Sequence, residues 1–241
     1  MVSKSLDGVL IKKAHKKQNF TRKHLQEFKA CADPVLGCIH FLDNFFYIQH
    51  PTQGKIQYHP FEYQLRLLHT YHDYRDSISM MPRQTGKSTT AAGYLLWFAM
   101  FVPDSTILIA AHKYAGAQEI MQRVRYAYEL CPDHIRAGAV SYNKGSIEFD
   151  NGSRIVAQTT TENTGRGMSI SLLYCDEFAF VRPTIAKEFW TSISPTLATG
   201  GKAIITSTPN SDEDQFALIW KGANKCCLLY TSPSPRDDRS S

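Results

Sequence analysis

Apolar positions along the chain fall into blocks whose period switches between that of a helix and that of a strand. In residues 59–74 (HPFEYQLRLLHTYHDY), Tyr63, Leu67, Leu68 and Tyr71 recur at helical spacing, which predicts an amphipathic helix. Residues 77–81 (SISMM) read as a short buried strand. From Lys87 onward KSTTAAGYLLWFAMFV is apolar nearly all round, so it predicts a buried helix, stopped by Pro103. Residues 105–112 (STILIAAH) predict a second buried strand, and 114–130 a helix closed by Pro132. Next, SIEF and SRIVAQ flank Asn151-Gly152, which predicts a hairpin with a tight primed turn, because such turns require positive φ. Residues 171–177 (SLLYCDE) are an apolar run ending in two carboxylates, 185–193 predict a helix, and 202–210 (KAIITSTPN) predict a strand entering a polar turn. This order predicts an α/β fold with a mostly parallel sheet and its ligand at the strand C-termini.

Composition adds limits. With 241 residues, 43% of them hydrophobic, the chain can bury one core, with room for a small appendage. The longest apolar run, 91–102, is interrupted by Gly93 and falls short of the ~20 residues a bilayer requires. No apolar stretch follows the N-terminal lysines as a signal peptide would need, so a soluble intracellular protein is expected. Cys31, Cys38, Cys131, Cys175, Cys226 and Cys227 show no zinc-type spacing and read as reduced, mostly structural thiols. Charge is uneven: residues 1–29 carry +6 and the remaining 212 carry −1. Such a basic segment, set apart here as 1–32, suits an acidic surface such as nucleic acid, or simply a solvated terminus. The last residues, 226–241, are Ser/Pro-rich, match no helix or strand, and look like translated sequencing-adapter DNA. The natural sequence is expected to stop near Lys225.

The candidate chemistry starts at Met80, with MMPRQTGKST. It ends like the phosphate loop G-x-x-x-x-G-K-[ST], but Met81 stands where the first glycine belongs and Arg83 sits inside. Between a buried strand and a helix, backbone N–H groups and the positive helix end favour a phosphate. Lys87 can then reach β/γ-phosphates, and the Ser88 hydroxyl can ligate Mg²⁺. At the end of LLYCDE, Asp176 fits a metal-holding carboxylate and Glu177 a general base that orients and deprotonates water, which points to hydrolysis rather than transfer. Thr206, Ser207 and Thr208 would present hydroxyls near the γ-phosphate.

In this order, PRQTGKST, HKYAGAQEIMQRV, NKGSIEFDNGSRI, GRGMSISLLYCDEFAFV and ITSTPN resemble the ATPase domain of the large terminase subunit of tailed bacteriophages, over roughly residues 33–220. In that family the phosphate loop commonly lacks its first glycine and carries an arginine. The resemblance implies a P-loop NTPase fold of the RecA-like, ASCE type with a small N-terminal lid subdomain, incomplete here, over 33–225. It also implies ATP and Mg²⁺ as cofactors. Nucleotide would be held by Gln64, Pro82, Arg83, Gln84, Thr85, Gly86, Lys87, Ser88 and Thr89, and metal by Ser88 and Asp176. Catalysis would fall to Glu177, Lys87, Arg83 and Arg166, and coupling to Thr206, Ser207 and Thr208.

Two of these residues have alternatives. Gln64 matches the family's adenine-recognising glutamine, or is an exposed helix residue. Arg166, between Gly165 and Gly167, matches an arginine finger acting on a neighbouring subunit, or is a surface charge. The implied partners are double-stranded DNA, a portal protein, a small terminase subunit and further copies in a ring on the prohead, in the host bacterial cytoplasm, with no membrane. The family's nuclease domain is not expected in this chain. A helicase-type or remodelling ATPase is the alternative, disfavoured by Phe-Ala-Phe after the acids; a non-catalytic nucleotide-binding module is disfavoured by Glu177.

Overall fold

The computed structural model describes residues 11–16 and 18–223, and the backbone of 229–231. Helices α1 (Arg22–Cys31) and α2 (Gly37–Phe45) lead into a small hairpin of β1 (Tyr47–His50) and β2 (Gly54–Gln57). There follow α3 (Glu62–Asp73), β3 (Asp76–Met80), α4 (Lys87–Phe101), β4 (Thr106–Ala111), α5 (Tyr114–Leu130), β5 (Ala139–Tyr142), β6 (Ser146–Phe149) and β7 (Arg154–Thr159). Then come β8 (Leu172–Asp176), a 3-10 turn at Phe178–Phe180, α6 (Pro183–Leu197), β9 (Lys202–Ser207), α7 (Gln215–Ala223) and β10 (Leu229–Thr231).

The main sheet runs β10-β3-β9-β8-β4-β7-β6-β5, parallel from β10 to β7 and antiparallel beyond. The chain thus has the expected α/β fold with a mostly parallel sheet. Strand β9 lies between β3, which feeds the glycine-lysine loop, and the acid-bearing β8. Because successive residues of a strand face opposite sides, the parallel strands divide their side chains between two cores. Ile107, Ile109, Leu172, Tyr174 and Ile204 pack with α2, α3, α4 and α5. Leu108, Ala110, Leu173, Cys175 and Ile205 pack with α6 and α7.

Helix α4 is the centre of the first core. As its composition predicts, it is buried nearly all round, with Ala91, Ala92, Tyr94, Leu95, Leu96 and Ala99 inaccessible. Truncating such a leucine costs about 2–5 kcal/mol, by lost transfer energy and the cavity left behind. Trp97 Nε1 donates to Cys31 O at 2.8 Å and Tyr94 OH to Tyr71 O at 3.0 Å, so the polar tips of these two helix residues are satisfied.

Three expectations change. The Asn151-Gly152 turn is not a two-residue primed turn: only Gly152 has positive φ (+83°), and Gly152 N–H donates to Phe149 O while Phe149 N–H donates to Ser153 O. This is a three-residue loop ending in a left-handed glycine, and Asn151 instead donates through Nδ2 to Ala99 O and Met100 O. The basic segment 1–32 is not set apart over its described residues. Cys31 is fully buried and Lys13 bridges the edge strand β5 at Ala139. Lys12 Nζ caps Asp133 O and Arg136 O at 2.9 and 2.8 Å, and burial lowers its pKa. Charge alone could not show this, because a lysine stem packs as readily as an apolar one. Finally, Leu229–Thr231 of the supposed tail pairs with β3, since an open parallel edge accepts any short β-prone segment. The rest of 226–241, with Cys226 and Cys227, lies outside the described residues; Cys31, Cys38, Cys131 and Cys175 are free and buried, as expected.

Candidate functional site

The loop 81–86 leaves β3 at the C-terminal edge of the sheet. Met81 N–H donates to Ser207 O at 3.0 Å, and its side chain is fully buried, so the loop starts from an anchor rather than from a glycine. Gln84 (φ +64°) and Gly86 (φ +73°) are left-handed, and Gly86 caps the first turn of α4. A Cβ at Gly86 would also lie 2.7 Å from Gln64 Nε2, so the Gln64 amide would have to give way, on top of the strain of the left-handed backbone. Thr85 O accepts from Tyr63 OH at 2.9 Å and Gln64 Nε2 at 3.1 Å, while Thr85 Oγ1 donates to Pro82 O. Pro82, Arg83 and Gln84 are exposed.

Gln64 is not an exposed helix residue. It is buried, and its Oε1 accepts from Tyr58 OH and from Phe61 N–H at 3.0 Å each. With Nε2 on Thr85 O, the amide ties the start of α3 to the phosphate loop, and reading adenine would require it to exchange partners. Tyr58 OH also meets Thr90 Oγ1 at 2.6 Å, and Arg123 Nη1 donates to Thr89 Oγ1 at 2.8 Å. Sequence reasoning missed Tyr58, Tyr63 and Arg123 because their relation to the loop is purely tertiary.

Opposite the loop, β8 delivers the two acids in different ways. Asp176 is the last residue of the strand and shares its face with Tyr174, toward α4. Its Oδ1 accepts from Tyr174 OH at 3.1 Å and Thr206 Oγ1 at 3.0 Å, and Oδ2 lies 3.4 Å from Ser88 Oγ. Burial, with the charge of Glu177, pushes its pKa up, partly offset by Lys87. Glu177 takes a left-handed conformation (φ +50°, ψ +43°), turning its side chain across the loop. Oε1 meets Lys87 Nζ at 2.6 Å, and Oε2 accepts from Thr208 N–H at 3.2 Å and Thr208 Oγ1 at 2.9 Å. Burial works against the charge of Glu177, but the ammonium and the Thr208 bonds prevail and hold its pKa low.

Alternation also sorts Thr206, Ser207 and Thr208. Thr206 faces Asp176 and Thr208 reaches Glu177, whereas Ser207 Oγ points to the other side, accepting from Ala179 N–H at 3.1 Å. Arg166 lies apart from this cluster. It is exposed between Gly165 (φ +75°) and Gly167 (φ +74°), and its Nε is 3.4 Å from Ser192 Oγ of α6.

A divalent cation fits the donor set. Ser88 and Asp176 offer hard oxygens beside the loop, and among the described residues no group of three His, Cys, Asp or Glu side chains forms a closed cage. Mg²⁺ typically takes one or two protein oxygens and completes its shell with water and phosphate.

A parallel sheet with a glycine-lysine loop on β3, acids on the next strand but one and a hydroxyl strand between them defines a P-loop NTPase fold. Residues 78–226 match the N-terminal region of T4likevirus-type large terminase subunits, and the chain belongs to that family. Among solved structures it is similar to the large terminase ATPase domain of Thermus phage P74-26 in a point-mutant form, at 22% identity and TM-score 0.55, covering 66% of this chain and 68% of that one. It is also similar to the large terminase of bacteriophage HK97, at 18% and 0.67, covering 82% and 44%. A third, from a thermophilic bacteriophage and solved with ATP-gamma-S, shows 14% and 0.57, covering 76% and 47%. The chain therefore spans less than half the length of the latter two, and these similarities concern the fold. Among the described residues no helix is long and apolar enough to cross a membrane.

Proposed function

We propose that this chain carries the ATPase of a viral DNA-packaging motor, hydrolysing ATP with Mg²⁺ to drive double-stranded DNA into a prohead in the host cytoplasm. Family membership supports the motor, as opposed to a helicase or remodelling ATPase. The observation that carries the chemistry is the bridge Lys87–Glu177–Thr208 across the mouth of the phosphate loop. In this bridge a lysine suited to phosphate and a carboxylate suited to water neutralise each other. When a triphosphate enters, Lys87 turns to its β/γ oxygens, and Glu177, held by Thr208, is freed to orient water and accept its proton. Loop N–H groups, with Pro82, Arg83, Gln84, Thr85 and Gly86, surround the phosphates, and Thr89 follows at the start of α4. The cation, when bound through Ser88 and Asp176, supplies charge neutralisation to the phosphates.

Arg83 is exposed within the loop and suits the γ-phosphate in cis. Arg166 suits a neighbour's site, since its own contact is to Ser192 and not to the Lys87 cluster. Portal protein, small terminase subunit and further copies of the chain are the partners this role requires. In an ATPase assay with Mg²⁺, Lys87→Ala is expected to abolish hydrolysis and to weaken ATP binding, because the loop loses its phosphate-reaching ammonium. Hydrolysis within a few-fold of wild type in a folded variant would remove this loop from the mechanism.

A further inference from the structure

Strand β8 reads Leu-Leu-Tyr-Cys-Asp, and the tyrosine is out of place in it. The strand is buried along its whole length, and Tyr174 is inaccessible to solvent. A hydroxyl in that position costs stability unless a partner takes it. The partner here is the metal-side carboxylate. Tyr174 and Asp176, two residues apart, share one face of β8, and Thr206 lies on the neighbouring β9 with its Cα paired to that of Asp176. The three side chains close a triangle: Tyr174 OH to Asp176 Oδ1 3.1 Å, Thr206 Oγ1 to Asp176 Oδ1 3.0 Å, and Tyr174 OH to Thr206 Oγ1 3.0 Å.

The consequence is asymmetric. Each hydroxyl has one proton to give. With both given to Oδ1, in preference to Cys175 O at 3.3 Å from Thr206 Oγ1, the Tyr174–Thr206 side of the triangle is a close approach without a proton of its own, and Oδ1 is committed to the protein. Oδ2 is the one turned toward Ser88.

We propose that Tyr174 is a positioning residue that, with Thr206, fixes the carboxylate of Asp176 so that Oδ2 faces the cation site, linking the hydroxyl strand β9 to metal binding. This rests on the reading of Ser88 and Asp176 as cation ligands. It also divides the roles of the hydroxyl strand: Thr206 acts with Tyr174 on Asp176, whereas Thr208 acts on Glu177. The protein contains its own control. Tyr71 is equally buried, of the same chemistry and near enough to Asp176 to feel its charge, but its hydroxyl has no hydrogen-bond partner, so it separates the hydrogen bond to Oδ1 from mere proximity.

The test measures binding, not turnover. Affinity of the 241-residue chain for a fluorescent ATP analogue is determined across a Mg²⁺ titration, and Mn²⁺ binding is followed directly by electron paramagnetic resonance. In Tyr174→Phe the half-saturating metal concentration should rise about tenfold, as expected for loss of one hydrogen bond to a charged group. Metal-free nucleotide affinity should stay within about two-fold of wild type, because the loop contacts of Lys87 are untouched. Tyr71→Phe should leave both values in place. Thr206→Val, near-isosteric, should reproduce the metal defect and serves alone if Tyr174→Phe does not fold. An unchanged metal half-saturation in whichever of the two variants folds, or an equal shift in Tyr71→Phe, overturns the positioning role while leaving the site intact. If metal does not assist nucleotide binding in the wild-type chain, the cation reading itself falls, and the proposal with it.

Discussion

The two arginines and the two acids of the site are built to opposite specifications. Asp176 and Glu177 are locked: every carboxylate oxygen has a protein partner within 3.4 Å, drawn from α4, β8, β9 and the residue that follows it. Arg83 and Arg166 are exposed, one in the phosphate loop and the other between two left-handed glycines. A buried carboxylate left unpaired is costly, so fixed partners must be supplied by the fold itself. An exposed guanidinium costs little to leave waiting, and so can be completed by something outside the chain. On this reading the acids are pre-organised by the chain, and the arginines wait for a nucleotide or a neighbouring subunit.

The strongest way to break that contrast is to remove an arginine. If Arg166 serves a neighbour, its effect appears only on assembly, where such a residue is worth roughly 10³–10⁵ in rate. ATPase activity per subunit, followed against protein concentration, should rise with association in the wild type and stay at the dilute value in Arg166→Ala. Mixing Arg166→Ala with Glu177→Gln subunits should recover part of the activity, because one mixed interface joins an intact finger to an intact base. Equal loss in the dilute and associated states would return the role to Arg83.

Removing a locked acid should give the complementary result. Glu177→Gln keeps the shape and an acceptor for Thr208, but cannot take a proton, so turnover should fall about 10²–10⁴-fold while ATP still binds. The variant should also lose an acid-dependent part of its stability. Glu177 has a folded pKa held below its ordinary 4.5, so its pairing stabilises the fold above that value and is lost as pH falls through the lowered one. Unfolding midpoints of wild type and Glu177→Gln should therefore converge in acid. A constant difference from neutral pH down to acid would mean that the ion pair with Lys87 contributes nothing.

The same contrast explains what the sequence could show. Strand and helix periods at 77–81, 87–102, 105–112, 114–130 and 202–210 placed the parallel sheet and the loop, because burial on both faces leaves apolar runs that are hard to misread. The local chemistry was legible too: a lysine after glycine, paired acids at a strand end, hydroxyls at the next. What remained hidden was tertiary. Gln64 reads on a helix as a surface amide or a base reader, yet it braces Thr85, since only the fold brings α3 beside the loop. Helices α1, α2 and α7 were missed although their apolar faces are comparable to those of α3 and α5, because at 9 or 10 residues each offers too few turns for a period to stand out. One signal was available and unused: a tyrosine within an otherwise aliphatic strand needs a partner, and the nearest acid on its face is two residues on.

The smallest effect separates the two acids from each other. Asp176 differs from Glu177 in having no cation in direct contact: its oxygens meet only hydroxyls, Lys87 offsets its charge from farther off, and burial with the repulsion of Glu177 raises its pKa. The sign of its contribution is therefore reversed. A carboxyl with a raised folded pKa costs stability once pH exceeds its ordinary 3.8, and costs it in full above the raised value. Asp176→Asn keeps an oxygen for Tyr174 and Thr206 and removes the charge, so without metal at pH 7 it should melt higher than wild type. A gain of about 2–4 °C corresponds to about 1 kcal/mol in a domain of this size. The gain should vanish below pH 3.8, where the wild-type acid is protonated in both states. Mg²⁺ with nucleotide should raise the melting temperature of wild type more than that of Asp176→Asn, because only the carboxylate gains by meeting a cation. A lower melting temperature for Asp176→Asn at pH 7 would show that the hydroxyls of Tyr174 and Thr206 more than offset the burial of the charge, and that the acid is held for stability as well as for metal.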